Sequence, residues 1–118
     1  MAQSTEIWDV AVIGAGPAGA MAALAAASQG KRVVILERFC IPRYKTCAGG
    51  LIGVSMNSLP AGFTPPVQAT ATSFTFSLRG WPERTRTSST TLVNLVRRDE
   101  FDALLRSEER RVGKECSS

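Results

Sequence analysis

The chain opens on short apolar runs punctuated by glycine and proline. Ile7 to Ile13, with Val10, Val12 and Ile13, reads as a buried strand, and Gly14 to Gly16 as a tight turn. Pro17 stands in the first turn of the next element, where a helix accepts proline, and the alanine-rich stretch from there to Gln29 is a strong helix former. Met21, Leu24, Ala25 and Ser28 recur at i, i+3, i+4 and i+7, yet the remaining faces are also alanine, so the pattern predicts a helix packed on both sides. Gly30 is the expected left-handed stop, and Lys31 and Arg32 suit the negative end of the helix dipole. Val33 to Leu36 is an uninterrupted apolar run, as in a parallel strand covered on both faces, and a right-handed crossover would join it to the first strand.

The rest is less regular. Arg38 to Gly53 reads as a loop rich in glycine and basic residues, leading into a short helix over Gly53 to Leu59, with a turn region from Pro60 to Pro66. Gln68 to Leu78 alternates, with Phe74, Phe76 and Leu78 on one face, and predicts one antiparallel strand with a wet side. Thr90 to Val96 is expected to be another strand. Asp99 to about Arg110 is expected to be a helix with Phe101, Leu104 and Leu105 in the core.

Composition narrows the function classes. Hydrophobic residues make up 44% and charged residues 20%, the balance of a single globular domain, while only 7% are aromatic, so a core built from this chain alone is thin. The net charge of +4 is spread from Lys31 to Lys114 with no basic run interleaved with aromatics, so no nucleic-acid partner is expected. With no histidine and three cysteines (Cys40, Cys47 and Cys116), no metal site is expected either. The odd cysteine count and the lack of a signal peptide favour the cytoplasm. Val10 to Ala27 is uncharged, but its alanine and glycine content and the Gly16-Pro17 break argue against a membrane span, and Glu6 and Asp9 argue against a signal peptide.

Candidate chemistry sits at the first turn. Gly14, Gly16 and Gly19 form a G-x-G-x-x-G pattern between a strand and a helix: the first permits the turn, the second lets a pyrophosphate approach the backbone, and the third lets helix and strand pack closely. The helix N-terminus, with Pro17 and Ala18, offers N–H groups to the phosphates. Glu37 ends the second strand 23 positions after Gly14, against an expected spacing of roughly 20, where a carboxylate accepts from a ribose 2′-hydroxyl and disfavours a 2′-phosphate. The competing reading is a glycine-rich turn in another α/β protein, with Glu37 merely solvated.

The segments DVAVIGAGPAGAMAA, VVILE, IPRYKTCAGGL and VRRDEFDALL together resemble the FAD-binding start of the flavoprotein superfamily that holds aromatic hydroxylases and geranylgeranyl reductases. The reductase branch is the more similar, through Pro42, Arg43, Lys45, Cys47, Gly49 and Gly50, with Ala48 departing where glycine is common. The resemblance spans about Ile7 to Leu105. It implies an α/β fold: the N-terminal part of a Rossmann-like FAD/NAD(P)-binding domain over residues 1–106, with the start of an antiparallel substrate-domain sheet at about 67–97.

For the site, the resemblance implies that Gly14, Gly16, Pro17, Ala18 and Gly19 hold the FAD pyrophosphate and Glu37 the adenosine ribose. Arg38, Arg43 and Lys45 would lie along the cofactor, Cys47, Ala48, Gly49 and Gly50 beside the flavin, and Arg98 would reach back to it. Solvated loop charges are the competing reading of Arg43 and Lys45, a surface residue at the helix start beside Arg97 is that of Arg98, and packing is that of Cys47. Cys47, a thiol in a loop beside basic residues, is the one candidate catalytic group.

The resemblance further implies a small-molecule substrate, an isoprenoid, with NAD(P)H or another reductant as electron donor and a parent protein peripheral to the membrane through its lipid substrate. An FAD-dependent monooxygenase and a truncated, non-catalytic nucleotide-binding fragment are the alternatives. The superfamily's later Asp-Gly and Gly-Asp signatures do not occur, so an N-terminal fragment is expected. The polar stretch 107–118 resembles tails on unrelated translated sequences and is set aside from fold reasoning.

Overall fold

A computed structural model describes residues 5–112. The chain divides into two compact units, one formed by the residues up to Tyr44 together with those from Asp102 onward, the other by Lys45–Phe101.

The first unit is the β-α-β element. Strand β1 (Val10–Ile13) pairs in parallel with β2 (Val33–Leu36), Val10 opposite Val33 and Ile13 opposite Leu36, and helix α1 (Pro17–Ser28) crosses between them. Because side chains alternate along a strand, Val10, Val12, Val33 and Ile35 share one face, and Ala23, Ala26 and Ala27 of α1 pack on it. Alanine suits this contact, since short side chains let the helix lie close to the sheet. The buried stripe of α1 is Ala20, Ala23 and Ala27, at i, i+3 and i+7. Gly30, with φ +76°, stops the helix, its N–H donating to Ala27 O at 2.9 Å, as expected.

Coverage on both faces is not observed. Ala18, Ala22 and Ala25 of α1 are exposed, as are Ala11, Ile13 and Leu36 on the other side of the sheet, with Ile13 78% accessible. Among the described residues the second face of the pair is left open at Ala11, Ile13 and Leu36.

In the second unit, strand β7 (Val93–Val96) is the centre of a three-stranded antiparallel sheet, flanked by β3 (Gly50–Ile52) and β4 (Val67–Ala71). A short helix α2 (Gly53–Asn57) follows β3. The register with β4 slips between Val67 and Ala69. Val93, Val96 and Phe101 are buried, and the Phe63 ring meets that of Phe101 edge-on at 6.0 Å.

The single strand expected over Gln68 to Leu78 is two strands. At Thr72 the chain changes partner: Ala71 O accepts from Leu92 N–H at 2.8 Å, whereas Thr72 O accepts from Ser88 N–H at 2.8 Å. From Ser73 the chain pairs instead as β5 (Ser73–Phe76) with β6 (Arg84–Thr87). One face of this ribbon carries Phe74, Phe76, Arg84 and Arg86; the other carries Ser73, Thr75, Thr85 and Thr87, with the Thr75 and Thr85 hydroxyls 2.8 Å apart. Phe74, Phe76 and Leu78 are accordingly exposed.

Helix α3 (Arg98–Val112) starts in the second unit and continues in the first. It runs beyond the expected end near Arg110 and takes in residues 107–112 of the stretch set aside as a tail, with Ser107 Oγ donating to Ala103 O at 3.0 Å. Residues 113–118, and Cys116 with them, lie outside the described residues. Phe101 and Leu105 are buried as expected, but Leu104 is 45% accessible, and Asp102 occupies the buried face in its place. The face turns inward through 101, 102, 105 and 109, and Asp102 is tolerated there because an arginine meets it. Among the described residues no helix is long and apolar enough to cross a membrane.

Candidate dinucleotide-binding site

The turn after β1 is fixed at both ends. Gly14 has φ +96°, a conformation that a side chain disfavours, and its N–H donates to Leu36 O at 2.7 Å, tying the turn to β2. A Cβ at Gly19 would collide with the carbonyl oxygen of Gly14 and press on Val12 Cγ1, so close helix-to-turn packing depends on that glycine. Gly16 is the N-cap of α1, extended at φ −74° and ψ −178°, with Pro17 behind it. No side chain caps the helix and no acid stands in its first turn, so the partial positive charge of a 12-residue helix is offered outward. Gly16 and Pro17 are half-buried and Ala18 is exposed. Backbone donors at an uncapped helix N-terminus, with no acid in its first turn, suit the binding of a diphosphate.

Glu37 adjoins the turn. Its Oε2 accepts from the buried Ala15 N–H at 2.8 Å, and its Oε1 accepts from Phe39 N–H at 3.2 Å. The Ala15 hydrogen bond is the main reason its carboxyl is held below the usual carboxylate range; partial burial opposes this, while the Phe39 N–H and the Arg43 charge assist. The acid is therefore ionised at neutral pH and locked to the glycine turn.

Arg43 stands beyond it. Its Nη2 is 3.8 Å from Glu37 Oε2, and its Nη1 donates to Asp102 Oδ2 at 2.8 Å. The sequence pattern missed Asp102 altogether. The available signal was an acid between Phe101 and Leu105 on the buried face of α3, which demands a cationic partner. Arg38 is exposed, its guanidinium 4.6 Å from the Phe39 ring centre.

The other candidates belong to the second unit. Lys45, Cys47 and Ala48 are exposed, and Cys47 Sγ accepts from Gly49 N–H at 3.3 Å. Gly49 is buried with φ +69°; a Cβ there would collide with Val96 O, and Gly49 O accepts from Val96 N–H at 3.0 Å. Gly50 lies in β3, where a Cβ would come within 3.3 Å of Val93 Cγ1. Arg98 is half-buried at the start of α3. The arginine seen pairing with Asp99 is its neighbour Arg97, at 2.6 Å. Among the described residues, no group of three or more histidine, cysteine or acidic side chains could hold a metal ion.

A parallel β-α-β element with an uncapped glycine turn and an acid ending its second strand defines a dinucleotide-binding fold. Residues 9–108 match the family described as FAD dependent oxidoreductase, and the chain belongs to that family, whose cofactor is FAD. It is 35% identical over 102 residues to an uncharacterized protein of Methanosarcina barkeri, covering 86% of this chain and 26% of that protein. Over 43 residues it is 51% identical to a menaquinone reductase of Mycolicibacterium smegmatis, covering 36% of this chain and 10% of that protein. A solved myxobacterial chondrochloren halogenase, described as a variant of FAD-dependent halogenases, superposes with a TM-score of 0.65 at 26% identity, over 92% of this chain and 28% of its own. The chain thus spans about a quarter or less of the length of these relatives.

Proposed function

We propose that this chain forms the ADP-holding part of an FAD-dependent oxidoreductase of the geranylgeranyl reductase type, one that reduces isoprenoid double bonds. The observation that carries the reading is the ionised Glu37 locked to the glycine turn at an uncapped helix N-terminus. When bound, FAD supplies hydride transfer, with NAD(P)H or another reductant as electron source.

The chain's own residues do the rest. Backbone N–H groups of the Gly14–Gly19 turn bind the pyrophosphate, and Glu37 accepts a hydrogen bond from the ribose. Arg38, Arg43, Lys45 and Arg98 contribute positive charge along the cofactor. Cys47 donates a proton to the substrate carbon, and Ala48, Gly49 and Gly50 keep bulk away from the flavin ring. The Lys45–Gly50 segment and the similarity to a menaquinone reductase support reduction as the reaction. An isoprenoid substrate would hold the whole protein in the cytoplasm at a membrane surface.

The test is to purify the whole protein, load it with FAD, reduce it with dithionite and supply an isoprenoid alkene. Saturation of the alkene is the expected product. Oxygen-dependent hydroxylation instead would establish the monooxygenase reading, and a folded protein that cannot be loaded with FAD would contradict both. In the same assay Cys47→Ala should retain FAD while turnover falls by roughly 10²-fold, the scale of a lost general acid. Turnover within a few-fold of the parent would make Cys47 a packing residue.

A further inference from the structure

Two carboxylates contend for one guanidinium beside the glycine turn. Asp102, 1% accessible, holds Arg43 Nη1 at 2.8 Å, while Glu37 stands 3.8 Å from Arg43 Nη2. All three side chains are largely buried, at 1%, 10% and 16% accessible for Asp102, Arg43 and Glu37. At short range the nearer acid wins, and the Asp102 contact is a charge-assisted hydrogen bond where the Glu37 contact is a longer-range attraction. Asp102 therefore takes the direct contact, and Glu37 keeps only the longer one.

We propose that Asp102 is a positioning residue: by holding Arg43 it keeps that guanidinium from closing onto Glu37, and so leaves Glu37 free to select a ribose bearing a 2′-hydroxyl over one bearing a 2′-phosphate. The proposal rests on the dinucleotide reading of the turn. An arginine stays charged in any protein environment. Without the Asp102 charge, Arg43 has Glu37 as its remaining carboxylate and closes the gap to direct contact. That pair is neutral, and its guanidinium presents donors to a phosphate where a bare carboxylate would repel one.

The experiment uses the full chain with bound FAD, displaced by either 5′-AMP or adenosine 2′,5′-bisphosphate and read by the recovery of flavin fluorescence. The readout is the ratio of the two displacement constants, which a general loss of affinity or stability leaves unchanged. The unmodified chain should favour AMP by about tenfold or more, the scale of about 1.4 kcal/mol. Asp102→Asn should bring the ratio close to one, and Asp102→Glu should restore part of the preference. Should Asp102→Asn fail to fold, Arg43→Gln carries the test, since a Glu37 already left free by Asp102 should keep about the unmodified preference for AMP once the guanidinium is gone. A ratio unchanged in Asp102→Asn, or shifted several-fold in Arg43→Gln where that variant decides, would overturn the role given to Asp102. An unmodified chain that binds FAD with no preference between the two nucleotides would overturn it as well. Failure of the unmodified chain to bind FAD or either nucleotide would instead bring down the dinucleotide reading, and this inference with it.

Discussion

Two glycine-rich segments look alike in sequence and differ in what their glycines do. In Gly14–Gly19, glycine shapes a turn whose backbone donors face outward from an uncapped helix, and a charged acid stands beside it. In Cys47–Gly50, the glycines serve pairing: Gly49 lies against the Val96 carbonyl, and Gly50 begins a strand packed on Val93. A glycine pattern therefore signals chemistry where it opens onto an uncapped helix N-terminus with a recognising charge beside it, and signals packing where its glycines lie against a neighbouring strand.

The largest expected effects come from the two glycines with no room for a Cβ. Gly19→Ala and Gly49→Ala should each cost roughly 1–3 kcal/mol or more in urea unfolding, as overpacked sites do. They should part on cofactor: Gly19→Ala should lose FAD by fluorescence titration, while Gly49→Ala should retain nucleotide binding at the turn. Equal loss of FAD in both would erase the distinction between the segments.

A smaller effect is expected at Glu37. Glu37→Gln keeps an oxygen for the Ala15 N–H but loses the charge, and should cost about 1 kcal/mol at neutral pH together with a several-fold weaker hold on FAD. The folded carboxyl titrates below its ordinary value. Its contribution is therefore complete above the unfolded pKa of about 4.3 and is lost as the pH falls through the lowered folded value. Urea midpoints of the parent and Glu37→Gln should differ by a constant amount from neutrality down to about pH 5 and converge in stronger acid. A difference that grows on acidification would contradict the assigned hydrogen bond.

The smallest effect belongs to the ribbon of the second unit. Phe76→Ser, at an exposed site, should change stability by no more than about 0.5 kcal/mol and leave FAD binding untouched.

The β-α-β element was legible from local pattern because its determinants are local: an apolar run, glycines at fixed offsets, proline in the first helical turn and glycine at the helix stop. Glu37 could be singled out because it ends a strand. The break at Thr72 could not be read, since alternation continues through it and the change of partner depends on Leu92 and Ser88, distant in sequence. Strand β6 reads Arg-Thr-Arg-Thr and carries no apolar signal at all. Asp102 was hidden because its burial is stabilised by Arg43, 59 positions earlier. Pairing partners far along the chain decided each of these features.

If the Gly14–Gly19 turn holds the pyrophosphate, Gly16→Val should abolish FAD binding without unfolding the chain. Gly16 is extended, at φ −74° and ψ −178°, so valine fits its backbone without strain and the fold should survive. The new side chain would stand where the phosphates approach. FAD titration followed by flavin fluorescence should show binding lost in Gly16→Val while the urea midpoint stays close to that of the parent. An FAD affinity equal to the parent's in a fully folded Gly16→Val would contradict the account.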